Sequence, residues 1–321
     1  MAKIPILSIC IPAYNRLVWF RQALESIADG NKQYESLVEV VVTDDSDQRD
    51  CEVIAQDVFR GWSGSWQYEF HESRLGMVEN WNRGINLATG QYVLVLHDDD
   101  YLLSGGLGRL LEAIAKSQDA YAVLLFGVEV VDAEGKVMKR QVYEHDHFLQ
   151  PREALLRLLS VSSFVRFPAI VIRRSLFSEV GLFRAEWQEP CDVDMWIRLF
   201  ARHGVFCSQS VTAAYRVHSQ ALTMGVFNER VIDLLLGLFK EVSQISVLSV
   251  EELEQCKSLF LHQFILAGAW RQLRRKEWRE FKKVMGLFDL VEIKNLDCPR
   301  KWLLLKIGFS LISFLLFLNK S

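Results

Sequence analysis

Apolar runs that end abruptly in polar residues alternate with segments of helical period along the first half of the chain. The clearest run is Tyr92–Leu96, which has no polar face and stops at His97–Asp100. An apolar run of this kind is typical of a strand that helices cover on both faces. Ile4–Ile11 and Val38–Thr43 are predicted to be two more strands of the same sheet.

Segments with an apolar residue at every third or fourth position separate these strands and predict helices. The first helix is predicted over Leu17–Ala28, with Asn15 as its N-cap, because an Asn side chain accepts a backbone N–H at that position. Strands that alternate with helices predict right-handed βαβ units and a parallel sheet. The other elements predicted here are helices over Cys51–Phe59, from Gly76 towards Gly90 and over Leu107–Lys116, and strands over Trp66–Phe70 and Tyr121–Gly127.

Three successive strands are predicted to end in polar residues, at Tyr14–Asn15, Asp44–Asp45 and Asp98–Asp100. In a parallel sheet these ends share one edge, which is where open α/β sheets bind ligands. Clustered carboxylates there suit Mg²⁺ or Mn²⁺ holding a phosphate. A solvated acidic turn is the alternative interpretation of a single Asp-Asp pair, but it does not explain why three strands end alike.

From Val128 onward the pattern changes and the predicted elements are shorter. A helix is predicted to contain Cys191–Arg198, with Asp192 in its first turn. The helix dipole stabilises a carboxylate there, so a capping role is one interpretation of Asp192. Asp194 is predicted to pair with Arg198 one turn later. The other elements are a hairpin turn at Asp132–Gly135, a helix over Pro151–Leu159, and strands over Phe167–Ile172 and Val211–His218.

Beyond about Phe227 the sequence is helical by period, and it ends in an almost wholly apolar segment, Trp302–Leu318. That segment is marginal for a membrane span of about 20 residues, and Lys306 counts against one. Two interpretations stay open, an interfacial helix bound to anionic lipid and a helix packed on the rest of the protein. Basic residues precede it at Arg271, Arg274, Arg275, Lys276, Arg279, Lys282 and Lys283.

Composition narrows the functional classes. The chain has 321 residues, of which 50% are hydrophobic, so a sizeable core is available and wholesale disorder is excluded. A net charge of −3 gives no electrostatic footprint for nucleic acid. Six cysteines occur without a Cys-x-x-Cys pair, and the amino terminus lacks the pattern of a signal peptide. We therefore expect free thiols in a reducing cytosol.

Five motifs occur in order along the chain: Ser8–Arg16, Val40–Ser46, Asn82–Gly90, Leu96–Tyr101 and Cys191–Arg198. Together they resemble the family 2 glycosyltransferases, and the resemblance spans about residues 5–220. The resemblance implies a GT-A type α/β fold, with a Rossmann-like, mainly parallel sheet flanked by helices and a C-terminal helical extension. It implies a catalytic domain over 1–225 and a helical region over 226–321, with a possible membrane-associated tail at 300–321.

The same resemblance implies which residues bind the donor nucleotide. Pro12, Ala13 and Tyr14 would line the nucleotide pocket, with Tyr14 near the base. Asp44 would accept a hydrogen bond from the base. Arg74 would contact the base or the diphosphate.

The resemblance also implies the metal ligands and the catalytic base. Asp99 would hold Mg²⁺ or Mn²⁺ and Asp98 would reach the ribose or a metal-bound water, while His97 replaces the usual first carboxylate. His218 resembles a later metal-ligating His, with a surface His as the alternative. Asp192 would be the general base that takes the acceptor's proton.

The resemblance therefore implies an inverting, metal-assisted transfer of a sugar from a UDP- or dTDP-sugar to a cell-envelope polysaccharide or a lipid-linked glycan. The expected location is the cytoplasmic face of the plasma (inner) membrane, with peripheral contact through the C-terminal helix and no nucleic acid partner. The alternatives are a sugar-phosphate nucleotidyltransferase and a non-catalytic nucleotide-binding protein at the membrane.

Overall fold

Ten strands form one sheet in the part of the chain that the structure describes, which is residues 4–118, 120–218 and 226–318 of a computed structural model. Their order is β3-β2-β1-β4-β9-β6-β10-β5, with β7 paired to β6 and β8 to β10. The strands are β1 Leu7–Ala13, β2 Val38–Asp44, β3 Ser65–Phe70, β4 Tyr92–Val95, β5 Tyr101–Leu102, β6 Val123–Val131, β7 Val137–Gln141, β8 His147–Leu149, β9 Ile170–Arg173 and β10 Val205–Arg216.

The sheet is mainly parallel in direction. β1, β2, β3 and β4 pair in parallel, and β9 lies antiparallel between β4 and β6. β6 and β10 therefore run the same way as the first four strands, because β10 pairs with β6 in parallel. The residues of β1, β2 and β4 are buried throughout, as predicted for strands covered on both faces.

The chain divides into two units, Met1–Pro151 with Val165–Ser219 and Arg152–Phe164 with Gln220–Ser321. The first unit holds the sheet and its flanking helices, and the second is helical. The predicted GT-A type α/β fold with a C-terminal helical part is confirmed. The helices are α1 Leu17–Ala28, α2 Asp50–Val58, α3 Met77–Leu87, α4 Gly106–Ser117, α5 Pro151–Ser160, α6 Leu176–Val180, α7 Cys191–His203, α8 Glu229–Ile245, α9 Val250–Arg274, α10 Trp278–Gly286, α11 Val291–Lys294 and α12 Arg300–Leu318.

Two local predictions were wrong. Asn15 is not the N-cap of α1; it has a left-handed backbone, and its amide donates to Asp47 Oδ2 across 2.9 Å. That contact joins the turn after β1 to the turn after β2, so the side chain serves the sheet edge instead of the helix. The strand predicted from Phe167 begins at Ile170, because Phe167–Ala169 forms a 3₁₀ turn around Pro168.

In the second unit, α12 packs on its neighbours along one side only. Phe309 is buried, and its ring stacks on Trp270 and meets Phe281 edge-on. Leu304 and Leu311 are 83% and 59% exposed. Among the described residues, no helix has the length and apolarity needed to cross a membrane.

Candidate active site at the carboxyl edge of the parallel strands

Hydrogen bonds tie the ends of β1, β2 and β4 together at one edge of the sheet. The backbone N–H of Tyr14, which follows β1, donates to Asp98 Oδ2 across 2.8 Å. The N–H of Asp45, which follows β2, donates to the carbonyl oxygen of Ala13 across 3.1 Å. Pro12 and Ala13 are buried within β1, so Tyr14 is the first side chain of this strand to reach the edge.

Arg16 holds two of the three consecutive carboxylates. Its Nη1 lies 2.7 Å from Asp98 Oδ1 and 3.6 Å from Asp99 Oδ2. Burial raises the pKa of Asp98 to about 7, although the Arg16 charge opposes that shift. Both oxygens of Asp98 face the turn after β1, so this residue fixes Tyr14 and Arg16 in position.

Asp99 points the other way, towards the end of β10. His218 Nε2 lies 2.8 Å from Asp99 Oδ2. Burial disfavours the charge of Asp99, but the His218 hydrogen bond and the Arg16 charge favour it, and the pKa of this carboxyl is lowered. Asp100 accepts the backbone N–H of Arg216 across 2.8 Å, and burial raises its pKa well above the usual range.

His97, Asp99 and Asp100 offer ligand atoms that all lie within 4.8 Å of one another. Within the described residues, the buried atoms that have no hydrogen-bond partner include His97 Nε2, Asp100 Oδ2 and His218 Nδ1. Burial lowers the pKa of His97 to about 4, so its imidazole is neutral, which is the form that ligates metals. These residues fit a divalent cation. Buried polar atoms without a partner destabilise a fold, and a bound cation would give these atoms a partner.

An aromatic cluster connects His97 to α7. The imidazole stacks on Trp81 at 5.0 Å and lies 4.3 Å from the ring of Phe167. Phe167 in turn meets Trp196 of α7 edge-on. Trp196 is therefore part of the core, and the cluster fixes the start of α7 relative to the end of β4.

Asp192 lies in the first turn of α7, as predicted, and accepts the N–H of Val193 across 2.7 Å. Burial raises its pKa to about 6. Asp194 instead makes ion pairs with Arg198, at 2.7 Å, and with Arg184. The predicted Asp194–Arg198 pair is thus confirmed, and Asp192 has a pKa suited to a base that works near neutral pH.

Arg74 and Asp44, which were both predicted to contact the base, lie in different surroundings. The Arg74 guanidinium lies 4.0 Å from the centre of the Tyr14 ring, so these two side chains stack on each other beside the end of β1. Asp44 is fully buried; it accepts the N–H of Ser46 across 2.8 Å and the hydroxyl of Tyr68. The role of Asp44 towards a base stays a prediction.

Sequence reasoning missed several residues that build this edge. Arg16 stands inside the first motif, directly after the first predicted strand, and that position was its only signal in the sequence. Asp45 accepts the N–H groups of Leu75 and Gly76 and so orients the loop that carries Arg74. Only the folded structure could indicate that Arg216 contacts the carbonyl of Asp99.

Comparison with known proteins agrees with this architecture. Residues 8–181 match the model of the family described as Glycosyl transferase family 2. An uncharacterized protein of Mycobacterium tuberculosis is 29% identical over 68% of this chain and 68% of its own length. The Campylobacter jejuni GalNAc(5)-diNAcBac-PP-undecaprenol beta-1,3-glucosyltransferase is 26% identical over 69% of this chain and 68% of its own length.

The fold resembles crystal structures of TarS from S. aureus. The complex of TarS 1–349 with UDP-GlcNAc superposes with a TM-score of 0.60 at 18% identity, covering 88% of this chain and 80% of that one. This chain spans about half of the longer TarS structure, 48% of its length. At this identity the likeness concerns the fold.

Proposed function

This chain belongs to glycosyl transferase family 2, and from that premise we propose that it transfers a sugar from a nucleotide-diphosphate sugar, of the UDP or dTDP type, with inversion at the anomeric carbon. The observation that carries the proposal is geometric: Arg16 joins Asp98 and Asp99 at one sheet edge, and the ring contacts of Phe167 with His97 and Trp196 hold α7, which carries Asp192, against that edge. Two pKa shifts of opposite direction support it. Asp99 is held ionised, while Asp192 has a pKa of about 6. Such divergence is typical of separate ligand and acid–base roles in one site.

In the proposed reaction, Asp192 takes the proton of the acceptor hydroxyl as that oxygen forms a bond to C1 of the donor sugar. The bond between C1 and the diphosphate oxygen breaks, and the nucleoside diphosphate leaves with the electron pair. Attack on the face opposite the leaving group inverts C1. The stacked side chains of Tyr14 and Arg74 orient the nucleotide, and Arg16 keeps Asp98 and Asp99 in place.

Asp99, His97 and Asp100 would hold Mg²⁺ or Mn²⁺, and His218 would join them through its contact with Asp99. A bound cation would neutralise negative charge on the departing diphosphate. An imidazole nitrogen among the donors favours Mn²⁺ over Mg²⁺, because Mg²⁺ prefers oxygen ligands.

The acceptor that we propose is a lipid-linked glycan or cell-envelope polysaccharide at the cytoplasmic face of the inner membrane. The undecaprenol-linked substrate in the name of the Campylobacter relative supports it. The exposed apolar side of α12 supports peripheral membrane contact by the region 226–321.

The experiment uses purified protein, a panel of UDP- and dTDP-sugars and Mn²⁺, and measures release of the nucleoside diphosphate with and without lipid-linked acceptors. Release from one donor that Asp99→Ala and Asp192→Ala each abolish supports the proposal. Unchanged release in both variants contradicts it.

A further inference from the structure

The second unit contains a cleft of about 570 Å³ whose polar lining is mostly cationic. Three lysines face one carboxylate, and two serine hydroxyls from α12 lie beside them. A phosphate group needs positive charge and hydrogen-bond donors, and this lining provides both. The lining residues used here, together called the lysine cleft, are Lys282, Asp289, Lys294, Lys306, Ser310 and Ser313.

Lys306 is held in position inside the lysine cleft. Its Nζ lies 3.5 Å from His262 Nε2 and 4.2 Å from the centre of the Phe288 ring. His262 is fully buried, and burial lowers its pKa, so the ring is neutral. Because His262 Nδ1 lies 2.9 Å from the carbonyl oxygen of Ser258, Nδ1 carries the proton and Nε2 accepts from the ammonium of Lys306. The ammonium of Lys306 is therefore fixed in position by these contacts.

The apolar side of α12 begins beside the lysine cleft. Lys306, Ser310 and Ser313 share one side of the helix at spacings of three and four residues. The adjacent row is Leu303, Ile307 and Leu311, which are 43%, 48% and 59% exposed, and Leu304 extends it at 83%. One helix thus presents cleft-lining polar groups next to an exposed apolar stripe.

We propose that the lysine cleft binds the phosphate of an anionic membrane lipid, while the apolar stripe of α12 lies among the acyl chains just below it. Basic side chains beside exposed leucines are the pattern of an interfacial helix. The observations favour a lipid over a free phosphate, because only a lipid would also bury the exposed leucines of α12. This inference rests on the proposed membrane acceptor but uses none of the transfer chemistry.

The test is flotation of the full chain with phosphatidylglycerol vesicles and with phosphatidylcholine vesicles. The variant is Lys294→Gln/Lys306→Gln, in which the amide introduced by the second substitution still offers a donor to His262. The matched control, Lys240→Gln/Lys283→Gln, removes the same charge from residues of the same unit outside the lysine cleft. We expect the cleft variant to bind phosphatidylglycerol roughly 30-fold more weakly, or about 2 kcal/mol for two lysines, and the control to change far less.

Further measurements separate the outcomes. Leu304→Ser/Leu311→Ser should weaken binding to both kinds of vesicle, and circular dichroism and donor hydrolysis should be unchanged in every variant. If the cleft variant and the control lose the same affinity for phosphatidylglycerol vesicles, the attraction is diffuse and the lysine cleft is not a specific site. If the full chain binds inorganic phosphate tightly but binds neither kind of vesicle, the lipid assignment is overturned. If the wild-type protein does not hydrolyse any donor, that result counts against the transferase proposal and leaves the vesicle result unaffected.

Discussion

Asp192 carries a prediction about pH at the scale of a single residue. Its pKa is raised to about 6 by burial, and only the ionised carboxylate can accept a proton. We expect kcat/KM for sugar transfer to reach a plateau above pH 6 and to fall about tenfold for each pH unit below it. The measurement is the pH profile of transfer with saturating Mn²⁺.

The matching substitutions are Asp192→Asn and Asp194→Asn. Asp192→Asn should lower kcat by about 10²- to 10⁴-fold and leave the folded structure intact. Asp194→Asn should instead lower stability, because it removes the partner of Arg198 and Arg184. A pH profile that keeps its acid limb in a residually active Asp192→Asn protein would assign the base to another group.

His97 carries a prediction about the metal. Replacing it with Phe keeps a ring against Trp81 and Phe167 but removes the nitrogen donor. We expect His97→Phe to weaken Mn²⁺ binding about tenfold or more, measured from the free-ion signal in electron paramagnetic resonance. His145→Ala, at an exposed position, is the control. Equal Mn²⁺ affinity in both variants would exclude His97 as a ligand.

The chemistry of single residues could be predicted from the sequence only where the interacting groups are neighbours along the chain. Asp98, Asp99 and Asp100 are neighbours in sequence, so a carboxylate cluster was predictable. Their separate roles were not, because Arg16 and His218 approach them from distant positions. The Tyr68 hydroxyl on Asp44 joins β3 to β2, and no periodicity indicates such a bond.

At the scale of elements, the apolar period predicted most of the fold. α1 has the bounds Leu17–Ala28 that the sequence indicated, because Phe20, Leu24 and Ile27 repeat on one face and are all buried. The antiparallel insertion of β9 between β4 and β6 was not predictable, since a short buried run carries no direction. The 3₁₀ turn at Phe167–Ala169 likewise follows from packing around Trp81.

Glu39 in β2 carries a stability prediction at this scale. Its buried carboxylate accepts from Ser8 Oγ at 2.5 Å in β1 and from Thr89 N at 2.7 Å before β4. Gly90 fits there because a Cβ would lie 2.7 Å from Ser8 Oγ. Glu39→Ala should lower the free energy of unfolding of the sheet by about 3 kcal/mol, since it leaves buried donors unpaired. Urea unfolding measures this, with the exposed Glu112→Ala as a control that should change it by less than about 0.5 kcal/mol.

For the whole molecule, charge and surface binding have to be reconciled. The chain has a net charge of −3, so an anionic membrane repels it overall. Attraction must then come from a local concentration of cations, which the lysine cleft provides. Local attraction of this kind is screened over the Debye length, about 10 Å at 0.1 M salt and about 3 Å at 1 M.

We therefore expect binding to phosphatidylglycerol vesicles to weaken at least tenfold between about 0.1 M and about 1 M salt, as the Debye length shortens. The Lys294→Gln/Lys306→Gln protein should show a shallower dependence, because it has fewer cations at the surface. Binding to phosphatidylcholine should respond little to salt, since apolar burial alone drives it. Binding that does not respond to salt on either lipid would leave the leucines of α12 as the membrane contact and remove the electrostatic part of the proposal.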